Sequence, residues 1–341
     1  MTGDRVPFPW GTGVATGAGS LPYQDPDEAA RVVVGELPDF PHLPELPARG
    51  PGSDLVGRTA ALLADLHVDL QPSGWRLTDR RGRDETRAVQ ALQADLDAFE
   101  IAAYGYQGPL KIQLAGPWTL AAALDRSRGD RVLADHGACR DVAQSLAEGL
   151  AEHRADVARR VPGASVVVQL DEPSLPAVLA GTIPTASGFA RLRAVPRGEA
   201  EALLGEVLAA AADWPVLHCC APDPPGKLAQ DAGAVVLSCD ISILSGSVTT
   251  ELAEAVDGGL VIWPGVVPSV RPVQPPSDRE LVDRFRAFAG RLDEDPAQLA
   301  RGLVVTPACG LAGTDVEWAR RAYALAVSTA RAVAESVDVD R

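Results

Sequence analysis

The residues with the greatest chemical potential in this chain are His218-Cys219-Cys220, Cys239-Asp240 and Cys309, each at or just past the end of a short apolar run. An imidazole, two thiols and a carboxylate brought to one point make a soft nitrogen and sulfur site suited to zinc. His218 and Cys220 are two apart, so both can turn to one side while Cys219 turns away. Zinc keeps a bound thiol as the thiolate at neutral pH, the form in which it is a nucleophile. His218, Cys220, Asp240 and Cys309 are therefore the candidate metal ligands, with Cys239 the rival of Asp240 for one position. Taken singly, any of these cysteines is better explained by burial in a core, and only their joint placement with His218 raises the metal reading; Cys139, inside a helical pattern, is read as packing.

A second group of residues could recognise a small molecule. Asp171-Glu172-Pro173 closes the most apolar run of the chain, and two adjacent carboxylates are costly to bury without partners. They either face the mouth of a site and hold a cationic group such as an amine, or serve as N-terminal acids of the next helix. Gly19 and Ser20 could donate backbone and hydroxyl hydrogen bonds to a substrate carboxylate. No nucleotide-binding glycine pattern and no G-x-S-x-G element is present. His42, His67, His136 and His153 lie in loop or helical contexts and are read as solvated or capping, and Arg80-Arg81-Gly82-Arg83 as a solvated turn.

The elements that must position these groups alternate. Short apolar runs at 110–114, 165–170, 215–218, 234–239, 259–263 and 303–306 read as buried parallel strands, with helical patterns at 130–160, 198–212, 277–290 and 314–336. Two more strands are expected within 13–20 and at 66–70, and Asp25-Pro26-Asp27-Glu28 has the form of a helix start. Eight strands without a compositional break make a single-domain (β/α)8 barrel over residues 1–341, with the proline-rich 37–51 and 264–276 as surface loops. In such a barrel the site is built just past the C-terminal strand ends, where the residues above fall.

Composition agrees with this reading and narrows the partners. The 341 residues carry 31 basic and 46 acidic side chains, a formal charge of −15, which argues against a nucleic-acid partner. With 46% hydrophobic residues the chain can bury a large core, and no apolar run is long enough for a membrane span or a signal segment, so a cytoplasmic location is expected. Five cysteines in a chain of this size suit thiol or metal chemistry better than a disulfide framework. A homo-oligomer is compatible with all of this.

In their order along the chain, Gly19-Ser20-Leu21-Pro22, Leu114-Ala115-Gly116-Pro117, Gln169-Leu170-Asp171-Glu172-Pro173, His218-Cys219-Cys220, Pro264-Gly265-Val266 and Cys309-Gly310-Leu311 resemble the catalytic barrel of cobalamin-independent methionine synthase. The resemblance implies a zinc-dependent methyltransferase that activates homocysteine, with His218, Cys220 and Cys309 as zinc ligands and Asp240 in the place of a family glutamate. It also assigns Ser20 to the carboxylate and Asp171 to the amino group of homocysteine. Three departures stand out. The family's folate-stacking tryptophan falls on Ala123, with Trp118 nearby; its proton-donating histidine has no counterpart in Val266–Val270; and acidic residues expected ahead of Asp54 are replaced by Arg49-Gly50-Pro51-Gly52. The thiol-activating half is retained and the folate half is not. That admits methyl-folate, a methylated corrinoid or another molecule as donor, and keeps open a zinc- or thiol-binding barrel without turnover, or a tetrapyrrole lyase of the same superfamily, which would have a basic pocket and no metal.

Overall fold

Strands rich in Val, Leu and Ile that are buried on both faces belong to a parallel sheet covered by helices. The computed structural model describes residues 7–339. Its strands are β1 (Val14–Ala15), β2 (His67–Gln71), β3 (Gly74–Thr78), β4 (Gly108–Ala115), β5 (Ala164–Asp171), β6 (Val216–Cys219), β7 (Val236–Asp240), β8 (Val261–Val267) and β9 (Val304–Pro307). The helices are α1 (Pro26–Glu36), α2 (Leu55–Ala60), α3 (Arg83–Ala102), α4 (Pro117–Ala123), α5 (His136–Arg160), α6 (Leu175–Leu179), α7 (Arg197–Ala210), α8 (Gly226–Asp231), α9 (Gly246–Asp257), α10 (Asp278–Leu292), α11 (Pro296–Leu299) and α12 (Val316–Val339). The start of α1 is as expected: the Asp25 carboxylate accepts from the amides of Asp27 and Glu28, with Pro26 in the first turn.

Seven parallel strands form one curled sheet in the order β1-β9-β8-β7-β6-β5-β4. The expected regular eight-stranded barrel is therefore met only in part, and 66–70 is not its second strand. That segment lies in β2, which pairs antiparallel with β3 as a separate hairpin. Its pattern resembles a barrel strand because half-buried strands of either kind alternate apolar and polar positions. The gap between β1 and β4 is bridged by residues 41–45, the stretch expected to be a surface loop. Leu43 N donates to Lys111 O on β4, and Leu21 N donates to Glu45 O while Glu45 N donates to Gly19 O beyond β1. Residues 40–46 are all buried. Prolines at 41, 44 and 47 cannot donate to a ladder, so the segment makes isolated bridges in place of a regular strand.

The inside of the curled sheet is layered. Toward the N-terminal strand ends, Val14, Val167, Val216, Val236, Trp263 and Val304 pack with Trp10 and Phe40 into an apolar floor. Trp10 stacks on Phe40 at 5.4 Å and meets Trp263 edge-on at 5.1 Å between ring centroids. Two residues further along five of these strands the inward positions become polar: Thr16, Gln169, His218, Ser238 and Thr306, all buried. Among the described residues no helix is long and apolar enough to cross a membrane. Because Trp10 closes the floor, Trp10→Ala should cost about 3 kcal/mol of unfolding free energy. Urea denaturation monitored by far-UV circular dichroism checks this, and a loss under about 0.5 kcal/mol would show that the plug is dispensable.

Candidate metal centre

His218 ends the inward row of β6, Cys220 follows that strand by one residue, and Cys309 lies two residues past β9. The structure brings these three together: one ligand atom from each lies within 4.8 Å of the others. The sulfurs of Cys220 and Cys309 are 3.0 Å apart. Cys309 is held well below the usual thiol range by hydrogen bonding from the Cys220 thiol and by the neighbouring imidazole, while Cys220 is pushed up by the same contact. Two sulfurs this close beside an imidazole make a cluster that a soft cation could join. His218 Nδ1 lies 3.0 Å from Ser238 Oγ, which leaves Nε2 as the ring nitrogen free to ligate.

Asp240 and Cys239 are placed outside this cluster. The Asp240 carboxylate accepts from the amide (2.9 Å) and hydroxyl (2.6 Å) of Ser242 in the turn after β7. Cys239 pairs in register with Cys219 while His218 pairs with Ser238, so alternation sends both cysteines to the outer face. There they are buried and pushed well up by burial, Cys219 to about 12. The inward residue of β7 beside the imidazole is Ser238, a hydroxyl in an otherwise apolar strand, and that placement is the signal the sequence reading passed over.

The cluster opens into a cavity of about 250 Å3 that is also lined by Ser20, Glu45, Asp171 and Gly310. Gly310 is required there: a Cβ at this position would lie 2.1 Å from Ser20 Oγ. Gly19, at φ +152°, lets the chain pass Gln113, whose side chain a Cβ would meet at 2.9 Å. Asp171 Oδ1 accepts from Gln169 Nε2 at 2.6 Å, and burial raises its carboxyl to about 6 against the pull of His218 and Lys111. Glu45 was missed in the sequence, hidden in a proline-rich stretch taken for a loop. Glu45 is buried in the cavity wall with Oε1 unpartnered, and burial raises its carboxyl to about 7.

Glu172 does not face the mouth. It is fully buried, with Oε1 accepting from Trp118 N (2.8 Å) and Oε2 from Thr119 N (2.8 Å) and Thr119 Oγ1 (2.7 Å). It caps α4, the helix after the neighbouring strand β4, which no local pattern could reveal. Trp118 is likewise in the core, its indole donating to Ala200 O, so it offers no stacking face to the cavity. Two histidines expected at the surface are buried: His42 Nε2 lies 2.7 Å from Tyr323 Oη, and burial lowers both His42 and His153 to about 3. His136, exposed at the start of α5, pairs with Glu199 as a surface group does. Cys139 is buried packing, as expected.

Loss of zinc from His218→Ala and Cys309→Ser, and its retention by Asp240→Ala, is expected in elemental analysis of purified protein. Ser238→Ala should bind zinc about tenfold more weakly in chelator competition, the usual cost of removing a partner that orients a ligating histidine. Metal loss from Asp240→Ala would instead make that carboxylate a ligand. Removing the α4 cap with Glu172→Ala should lower unfolding free energy by about 2 kcal/mol, because buried amides lose a charged acceptor.

The model of the cobalamin-independent synthase catalytic domain matches residues 14–332. A B12-independent methionine synthase from Shewanella sp. W3-18-1, solved in complex with selenomethionine, is similar in structure with a TM-score of 0.61 at 12% identity, over 97% of this chain and 99% of that one. Weaker structural likenesses include a Streptomyces cattleya GH5_18 protein bound to GlcNAc (TM-score 0.43, 15% identity, 95% of this chain and 80% of that one). No curated protein matches the chain in sequence. With the family model spanning nearly all of the described residues, the chain belongs to the family of the cobalamin-independent synthase catalytic domain.

Proposed function

We propose that this chain is a zinc-dependent thiol methyltransferase whose acceptor is a small amino-acid thiol, homocysteine fitting best. The observation that carries the reading is that His218, Cys220 and Cys309 open into the same cavity as Ser20, Glu45 and Asp171. His218, Cys220 and Cys309 would hold the metal, a set of three protein ligands that leaves a coordination position open, as catalytic sites do. Zinc, when bound, supplies a Lewis acid that keeps an incoming thiol deprotonated at neutral pH.

The protein's own residues then supply recognition and orientation. Ser20, in the cavity wall, would donate to the substrate carboxylate, and Asp171, with Glu45 in the same wall, would accept from the substrate ammonium. Held at its head, the substrate directs its sulfur toward the His/Cys cluster. The sulfur then attacks the donor methyl in line: the S–C bond forms as the bond from methyl to donor breaks, and the donor leaves with that electron pair.

On the donor side, no Phe, Tyr or Trp is among the described residues lining the cavity, and Trp118 is committed to the core. That favours a methylated corrinoid over a stacked pterin as the methyl source. Incubation of zinc-loaded protein with homocysteine and either methylcobalamin or methyltetrahydrofolate, scored by methionine formed, tests this. Methionine from methylcobalamin is expected, and Cys309→Ser should form less than about one-hundredth as much, since an unactivated thiol reacts through its small thiolate fraction. Methionine from the folate alone would reverse the donor assignment. Thiol binding without methionine from either donor would support a binding barrel without turnover.

A further inference from the structure

Beneath the cavity lies a buried polar group that the proposed reaction does not use. Lys111 and Gln113 on β4 and Gln169 on β5 point into the barrel from the same face, Gln113 pairing in register with Gln169. Lys111 is fully buried, an expensive location for an ammonium, and its contacts show what it is for. Its Nζ donates to Ala18 O at 3.1 Å and to Gln113 Oε1 at 3.1 Å. Gln169 Nε2 donates to the same Ala18 carbonyl at 2.9 Å and to Asp171 Oδ1 at 2.6 Å. Gln113 Nε2 in turn donates to Leu43 O, on the segment that closes the barrel, at 2.7 Å.

The Ala18 carbonyl is thus the common acceptor of two buried donors. It immediately precedes Gly19-Ser20, which carries one proposed substrate contact, and one of its two donors also grips Asp171, which carries the other. The amide group of Gln169 has two N–H bonds and spends one on each arm. Without these bonds the Ser20 arm would keep only the backbone bonds that Gly19 O and Ser20 O accept from Glu45 N and Leu311 N, with the positive-φ Gly19 as its pivot, and the Asp171 carboxylate could rotate.

We propose that Gln169 and Lys111 are positioning residues that fix, through the Ala18 carbonyl, the spacing between Ser20 and Asp171, so that the pocket selects a thiol bearing an amine and a carboxylate on one carbon. The inference rests on the thiol-methyltransferase reading and deepens it by naming what sets the head-group specificity. Gln169 serves both arms and bears most directly on Asp171; Lys111 makes hydrogen bonds on the Ser20 arm only and reaches Asp171 through its charge.

The two roles separate in calorimetric titrations of zinc-loaded protein with homocysteine, desamino-homocysteine and descarboxy-homocysteine. Gln169→Met should weaken homocysteine and the descarboxy compound by about tenfold, the scale of a hydrogen bond to a charged group, while changing the desamino compound least. Lys111→Met should weaken homocysteine and the desamino compound, again by about tenfold, and should not weaken the descarboxy compound, because removing a cation near Asp171 favours a ligand ammonium there. Unchanged zinc stoichiometry and Tm identify a folded variant, and Lys111→Met carries the test where Gln169→Met does not fold. Equal losses for all three thiols, or none, would reduce these residues to structural supports and overturn the proposal. A wild-type protein that binds neither zinc nor any of the thiols would instead overturn the functional reading beneath it.

Discussion

The constraint on which the rest of the molecule depends is the two-residue repeat of a β-strand acting on strands held in register. Once Val167, Val216, Val236 and Val304 are committed to the apolar floor, the next inward positions on those strands are fixed as Gln169, His218, Ser238 and Thr306. A shift of one residue would turn His218 outward and bring Cys219 in. The polar layer is therefore a consequence of floor packing, and the ligand cluster sits where it does because the valines and Trp263 beneath it are well packed.

Polar side chains at this depth survive because most are partnered. His218 has Ser238, Asp171 has Gln169, Lys111 has Ala18 and Gln113, and Glu172 has the first amides of α4. Burial without partners would cost each of them more than a folded chain can absorb many times over. Glu45 is an exception, with one carboxylate oxygen left without a hydrogen-bond partner, and it lines the cavity in which a ligand cation would lie. Glycines complete the arrangement where backbones or side chains come too close for any other residue. Gly116 leaves room for Glu172, whose Oε1 a Cβ would meet at 2.3 Å, and Gly310 does the same for Ser20.

Closure of the barrel follows a different logic. The segment 41–45 bridges β4 and the Gly19–Leu21 stretch with a handful of backbone bonds, and it is pinned by His42 against Tyr323 and by Leu43 O accepting from Gln113. Its prolines prevent a full ladder, so side chains and isolated bridges do the work that a regular strand would do elsewhere. This irregular stave also carries Glu45 to the cavity, which ties barrel closure to the composition of the site.

Much was determined by the chain read alone. Periodicity placed the parallel strands β4 to β9 and the helices α5, α7, α10 and α12, though not the 20-residue α3, and the capping chemistry at Asp25 marked the start of α1. The strand-end positions of His218, Cys220 and Cys309 marked them as a candidate cluster, and the structure draws the three together, because strand-end motifs are local features that the sequence displays directly. Other assignments were decided by tertiary structure only. Residues 41–45 became the closing stave while 67–71 became half of a hairpin, since strand-like patterns do not say which partner a strand will find. Glu172 went to α4 and Glu45 to the cavity, and Ser238 took the inward place beside His218 that neither Asp240 nor Cys239 occupies. In each case the deciding quantity is which of two nearby polar groups ends up on the inner face of a curled sheet, and that depends on register and curvature summed over strands far apart in the chain.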